Sequence, residues 1–231
     1  MSVKNMCAST NIYSTEMANQ WRIDVMTCLV LFMMMEDAKP ALAADVWQEI
    51  GMLENRVKTL EAMCVDKCRP CKFNFEDGTL RGWAKTGTAF DNQPTYGDNP
   101  TARNRGQPAN QQGDYWIGGF EDRHTPDDIA GAIQGDKPQG TLTSTTFTIT
   151  GKYVTFLIGG GCDVNLVRAE LIIEGKVEKT VTGKCTETME RVTWDVIEFY
   201  GQKAQIRLVD NSSGSWGHIN FDDLKGDITC A

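Results

Sequence analysis

Residues 209–224 read VDNSSGSWGHINFDDL, from Val209 to Leu224. The stretch leaves an alternating apolar-polar segment, Ala204 to Asp210. It then crosses a Gly/Ser loop holding Trp216 and His218, and re-enters a short apolar-acidic segment, Ile219 to Leu224. Alternation with period two marks half-buried strands. A polar loop between two strands that holds an aromatic, an imidazole and nearby carboxylates is a place where binding chemistry sits.

The same grammar continues upstream. Thr145–Thr150, Tyr153–Ile158, Arg168–Glu174, Val177–Thr182 and Val192–Val196 read as strands, with Gly175-Lys176 as a Gly-X hairpin turn. Tyr115–Ile117 is a further strand, and Asn74–Glu76 a first one that turns at Asp77-Gly78 into Leu80–Trp83. Residues 84–114 are polar and aperiodic, but Phe90 and Tyr96 within them mark an ordered surface loop. Residues 118–140 form another loop. No βαβ spacing, internal repeat or long helix follows residue 64. Many short strands separated by turn residues predict an all-β, antiparallel β-sandwich.

One helix precedes it. Val46, Ile50, Leu53, Val57, Leu60 and Cys64 recur at alternating spacings of four and three, an a/d seam over Asp45–Cys64. Glu54 and Lys58 add an i,i+4 pair of favourable polarity. So short a helix needs a partner, either its own domain or other copies of the chain. The expectation is a short coiled coil over residues 45–68, with Cys64, Cys68 and Cys71 placed to join neighbouring chains. Arg56-Val57-Lys58-Thr59-Leu60-Glu61 resembles the signature of short trimeric coiled coils. Ile and Val at a with Leu at d lean instead towards a dimer; a homotrimer is the favoured reading.

Ahead of the helix, Val25–Met35 is an apolar run too short to span a bilayer, which needs about 20 residues. Ala41-Leu42-Ala43-Ala44 follows it as a small-residue cleavage motif. Residues 1–44 therefore read as a signal-peptide region, with Met17 as an alternative start. The expected organisation is 1–44, 45–68 and a sandwich at 72–228.

Composition fits a secreted globular chain of 231 residues, 41% hydrophobic and 23% charged, with net charge −8. Residues 45–231 carry 20 Lys and Arg against 27 Asp and Glu. That balance opposes nucleic-acid binding, which draws its affinity from basic residues on phosphates, and a basic membrane-surface mode. Eight cysteines suit an oxidising compartment. Cys68-Arg69-Pro70-Cys71 is a lone CxxC with no second pair, so structural zinc has no evident ligand set.

Several segments occur in an order that resembles one family: NFEDGTLRGW (Asn74–Trp83), GTLTSTTFTI (Gly140–Ile149), FLIGGG (Phe156–Gly161), LIIEGKV (Leu171–Val177), TWDV (Thr193–Val196) and IRLVDNSSGSWGHINFDDL (Ile206–Leu224). Together they look like the galactose-binding-like module attached to levanases and related fructan-cleaving glycoside hydrolases, over residues 72–228. The resemblance implies a jelly-roll sandwich, carbohydrate binding without catalysis, and often a structural calcium. The chain departs from those relatives at Cys162, Cys185 and Asp163, and in having a coiled coil where they have a catalytic partner.

Sugar sites use groups that span vicinal hydroxyls and an aromatic face for the ring. The candidates are Asp163, Arg168, Glu190, Trp216 and His218; Gly159-Gly160-Gly161, itself readable as a tight strand-end turn, lets Asp163, Asn165 and Arg168 crowd one end of the sandwich. Trp216 and His218 serve equally well as buried loop anchors. If the first and last strands are neighbours, Glu76 can meet Asp222 or Asp223 as carboxylate ligands of Ca²⁺, completed by backbone carbonyls; solvated turn acids are the alternative. Cys162 and Cys185 border one hairpin and Cys71 and Cys230 flank the domain, which suggests those two pairs and leaves Cys64 and Cys68 for interchain bonds. Six cysteines allow many other connectivities. Asn211-Ser212-Ser213 is a glycosylation sequon. His124 and His218 lack a triad context, and GxSxG, HExxH and phosphate-loop motifs are absent. The sequence thus points to a secreted, oligomeric, lectin-like protein. A matrix or structural protein that uses the same sandwich for protein or mineral contacts is the alternative.

Overall fold

The computed structural model describes residues 48–56, 58, 71 and 73–230. The chain divides into two units, Met1–Cys68 and Arg69–Ala231. In the first, residues 48–56 and 58 are helical, as the heptad spacing predicts. Of the seam, Ile50 is half-buried and Leu53 is 48% exposed. The signal-peptide region, the remaining seam residues, Cys64 and Cys68 lie outside the described residues. Among the described residues no helix is long and apolar enough to cross a membrane.

The second unit is built from ten strands: β1 (Trp83–Gly87), β2 (Thr95–Tyr96), β3 (Tyr115–Gly118), β4 (Gly140–Ser144), β5 (Phe147–Gly160), β6 (Val167–Ile173), β7 (Lys176–Val181), β8 (Thr186–Asp195), β9 (Lys203–Asp210) and β10 (Ile219–Cys230). Every pairing between them is antiparallel. The pairings divide the strands into two layers, β1-β4-β9-β6-β7 and β8-β5-β10-β3-β2. The layers join where Phe147 and Thr148, opening β5, pair with β9 on one side and β10 on the other. The result is the antiparallel β-sandwich expected from the strand pattern.

Alternation fills the space between the layers. Leu142, Ala204, Ile206, Leu208, Ala169 and Leu171 from the first layer meet Phe156, Ile158, Ile219 and Phe221 from the second in one core. The Phe156 ring lies 5.1 Å from Phe221 and 4.8 Å from Trp194, and Trp83 of β1 reaches across to Phe221 at 6.1 Å. Each such buried side chain contributes about 1.5–3 kcal/mol. A smaller cluster, Ala109, Trp116, Leu157 and Met189, sits on the outer face of the second layer. Part of the long polar loop is the roof over it, held by Met189 N–H on Ala109 O and by Trp116 Nε1–H on Gly97 O, both 2.9 Å.

Three strand readings and one turn change. Leu80–Gly82 is not strand, and β1 begins only at Trp83. Asn74–Glu76 is not a strand: Phe73 makes an isolated bridge with Leu224, and Phe75 turns away at φ 57°. The pieces 145–150 and 153–158 belong to one strand, β5. Gly151 there is not a turn; its open side faces Asp227, whose carboxylate accepts the N–H groups of Lys152 and Tyr153. The β6–β7 turn is Glu174-Gly175, with φ 49° and 82°, so it is of the I′ kind that suits strand twist rather than Gly-X at 175–176.

Candidate functional site

The ends of β5, β9 and β1 and the starts of β6, β8, β4 and β10 meet at one end of the sandwich. The Asn211–His218 loop closes this end. Gly161 N–H donates to His218 O at 2.8 Å. A side chain on Gly160 would lie 2.5 Å from that same oxygen, and its φ of 79° already favours glycine. The triple glycine thus has a local reason: it lets the Trp216–His218 backbone lie directly on the end of β5.

His218 is buried, with Nδ1 2.6 Å from Asp136 Oδ1 and Nε2 3.3 Å from Glu187 Oε2. Burial favours the neutral ring, but the two carboxylates outweigh it and push its pKa up to about 9, so imidazolium is the neutral-pH form. Burial alone would raise Glu187; its bonds to His218, Arg103 and Asn220 instead hold it down at about 2. Arg103 bridges Glu187 at 2.6 Å and Glu121 at 2.9 Å, and Asn99 donates to Glu121 at 2.7 Å. Burial moves Asp210, the last residue of β9, up to about 7.

Aromatic contacts continue the network. Trp216 stacks on His218 at 5.5 Å and receives the Arg105 guanidinium 5.2 Å from its ring centre, while Phe120 lies 5.3 Å from His218. Trp216 also holds φ 60°, costly for a bulky residue. This geometry makes Trp216 and His218 the anchor of the loop.

The other sequence-derived candidates fall in different places. Arg168 lines an open groove of about 370 Å³ on the outer face of the first layer, with Thr86, Gln139, Thr141, Asn165 and Asn211. Its Nε donates to buried Glu170 at 2.7 Å and its Nη1 to Asn165 O at 2.9 Å. Asp163 is exposed and shapes the turn before β6, accepting Asn165 N–H at 2.9 Å. Glu190 is exposed on β8 and pairs with Lys184 at 2.5 Å. Asn211 is exposed at the groove's rim, with its N–H on Leu166 O. The structure joins Cys71 to Cys230 and Cys162 to Cys185, with Cα separations of 5.2 and 5.0 Å.

Residues 112–115 bring two carboxylates together. Gln112 N–H donates to Asp222 at 2.7 Å, and the N–H groups of Asp114 and Tyr115 donate to Glu76 at 3.0 and 3.1 Å. Gly113 permits this, since a side chain there would strike the Glu76 carboxylate at 2.5 Å. Asp222 is buried, and burial with the neighbouring charges of Asp223 and Glu76 lifts its pKa to about 7. Asp223 turns away, with φ 50°, to Arg191 and Lys225 at 2.5 Å each. No cluster of three or more His, Cys, Asp or Glu suited to a metal occurs among the described residues.

The residues that sequence reading missed are Arg103, Glu121, Asp136, Glu187, Asp210 and Asn220. They come from separate loops and strands, and their contacts join positions as far as 84 apart, as in Arg103 with Glu187, so no local spacing marks them.

No family model matches the chain. It is 35% identical over 149 residues, 64% of its length, to an Aspergillus rugulosus protein named "Putative glycosyl hydrolase ecdE", of which the match spans 19%. Among solved structures, the K1 cleaved adhesin domain of Lys-gingipain from Porphyromonas gingivalis W83 aligns at 12% identity and TM-score 0.39, over 68% of this chain and 96% of that one. A family 35 carbohydrate-binding module from an environmental isolate aligns at 18% identity and TM-score 0.29, over 43% of this chain and 76% of that one.

Proposed function

We propose that the protein is a secreted, non-catalytic carbohydrate-binding protein whose ligand groove is the one beside Arg168. The observation that carries this reading is the groove's lining. A guanidinium, two hydroxyls and three amides, from Arg168, Thr86, Thr141, Gln139, Asn165 and Asn211, converge on an open concavity of about 370 Å³. Such groups donate to and accept from sugar hydroxyls in pairs, and the size is that of a small-ligand site. The match to a protein named as a glycosyl hydrolase supports a carbohydrate context, and its 19% share of that protein is the size of an accessory module. Among the described residues Asp210 is the one carboxylate lining the groove, whereas glycoside hydrolysis ordinarily uses two.

Secretion accords with the two disulfides, which persist in oxidising compartments. Self-association through the 45–68 helix would present several grooves together and raise avidity on a repeating glycan about 10²–10⁴-fold. A Ca²⁺ ion suits Glu76 and Asp222. Each carboxylate accepts backbone N–H bonds yet retains free lone pairs, and a cation would offset the burial of Asp222 and its repulsion by the exposed Glu76. Bound there, calcium would tie the start of the domain to its last strand; Asp223 is committed to Arg191 and Lys225.

Affinity electrophoresis of the glycan-free protein through gels holding soluble β-1,4-glucan, β-1,4-mannan, β-1,4-xylan or β-2,6-fructan tests the reading. Retardation by one of these, reduced at least about tenfold in affinity by Arg168→Ala with folding intact, supports it; unretarded migration in all of them points to the matrix-protein alternative.

A further inference from the structure

The groove beside Arg168 does not stand alone on its face. Alternation along the first layer puts Leu142, Leu208, Ala169 and Leu171 in the core, so their neighbours face outward. The strand register then orders the outward residues in rows. Thr86, Thr141, Val209 and Arg168 form the first row, across β1, β4, β9 and β6. Ala84, Thr143, Arg207 and Glu170 form the second. Gln205, Ile172 and Val177 form the third, across β9, β6 and β7.

The third row opens into a second groove of about 530 Å³, lined by Thr146, Ile172, Glu174, Lys203 and Gln205. Each groove has an apolar floor set outside the core cluster, Val209 in the first and Ile172 in the second. The row between them raises no wall. Thr143 and Arg207 are half-exposed, and Glu170 lies beneath two arginines, bonded to Arg168 Nε at 2.7 Å and to Arg207 Nε at 2.6 Å. That arrangement fixes two planar guanidinium groups side by side along the path, with their outer edges toward solvent. From Lys203 to Val209 the path runs about 20 Å, at about 3.3 Å per residue.

We propose that the two grooves are the ends of one track along β9 that takes an internal segment of an unbranched polysaccharide, rather than a chain terminus or a single sugar. This rests on the carbohydrate-binding reading above and adds the shape of its ligand. A sugar chain offers hydroxyls on its edges and C–H faces between them. The track offers the matching order: amides and hydroxyls at one end, paired guanidinium edges in the middle, and apolar floors under both grooves. A linear chain can leave the open ends of the track in both directions.

The test is isothermal titration with a length series of linear oligosaccharides, from the disaccharide upward, of whichever polysaccharide retards the protein. The variants are Arg168→Ala in the first groove and the double variant Lys203→Ala/Glu174→Gln in the second, each checked for an unchanged melting transition. The track predicts affinity that climbs with chain length and levels off once the chain reaches about 20 Å. It also predicts that the double variant weakens long chains about tenfold and leaves the shortest unaffected. Affinity that is flat from the disaccharide onward, or a double variant without effect on long chains, overturns the track while leaving sugar binding at Arg168 in place. No binding by any polysaccharide overturns both.

Discussion

At the residue scale, the loop end is governed by one buried cation pair. His218⁺ lies between Asp136 and Glu187, and Arg103 lies between Glu187 and Glu121. The folded pKa of His218, about 9, is raised above the ordinary 6.5. Its contribution is therefore full below pH 6.5 and is lost as pH rises through 9. Asp210 acts with the same sign at lower pH. Its folded pKa near 7 lies above the ordinary 3.8, so stability falls as pH climbs from 3.8 to 7. The melting temperature should accordingly decline from mildly acidic pH towards pH 9, and His218→Gln should flatten the 6.5–9 portion. A melting profile that is flat across that range in the parent protein would contradict the account. Removing the shared cation is more severe: Arg103→Ala leaves Glu121 and Glu187 buried without it and should cost about 3 kcal/mol in urea unfolding. His218 was visible in the sequence as an odd loop residue. Its partners were not, because Asp136 and Glu187 lie 82 and 31 positions away and look like ordinary loop and strand acids.

At the element scale, strands were legible where alternation was clean, as in Ala204–Asp210 and Arg168–Glu174. They were misread where a glycine imitated a turn. Gly151 is such a case, since its job is to leave room for Asp227 against β5 rather than to reverse the chain. The groove was half legible: Arg168 stood out, but Thr86, Thr141 and Gln139 join it only through strand register. Glycines of equal dihedral differ in what they hold apart. Gly160→Ala would drive a methyl into His218 O and should cost at least about 2 kcal/mol. Gly175→Ala, at φ 82° with no atom within 4 Å, should cost only about 1 kcal/mol. Equal losses for the two, measured by chemical denaturation, would show that the loop does not rest on β5 as described.

At the scale of the whole molecule, the sandwich is closed by covalent bonds at both ends. Cys71–Cys230 encloses a separation of 159 residues and Cys162–Cys185 one of 23. Chain-entropy reasoning assigns about 5 kcal/mol to the longer and about 3 kcal/mol to the shorter. Cys71→Ala/Cys230→Ala should therefore destabilise more than Cys162→Ala/Cys185→Ala, as read from their urea midpoints. The fold class followed from the strand pattern because burial enforces alternation over many residues. The ligand did not, because recognition depends on a few side chains whose convergence is a property of the assembled sheet. Trp216 illustrates this: its residue type suggests a sugar platform, yet its ring is packed on His218 and Arg105.

The central claim is that the outer face of the first layer, at Arg168, binds carbohydrate. Titration of the folded protein and of Arg168→Ala against the polysaccharide panel tests it most directly. The account predicts binding by the parent protein and an affinity at least about tenfold weaker in the variant, with Trp216→Phe close to the parent. Undiminished binding by Arg168→Ala, with loss on Trp216→Phe in a protein that still folds, would contradict it and move the site to the Asn211–His218 loop.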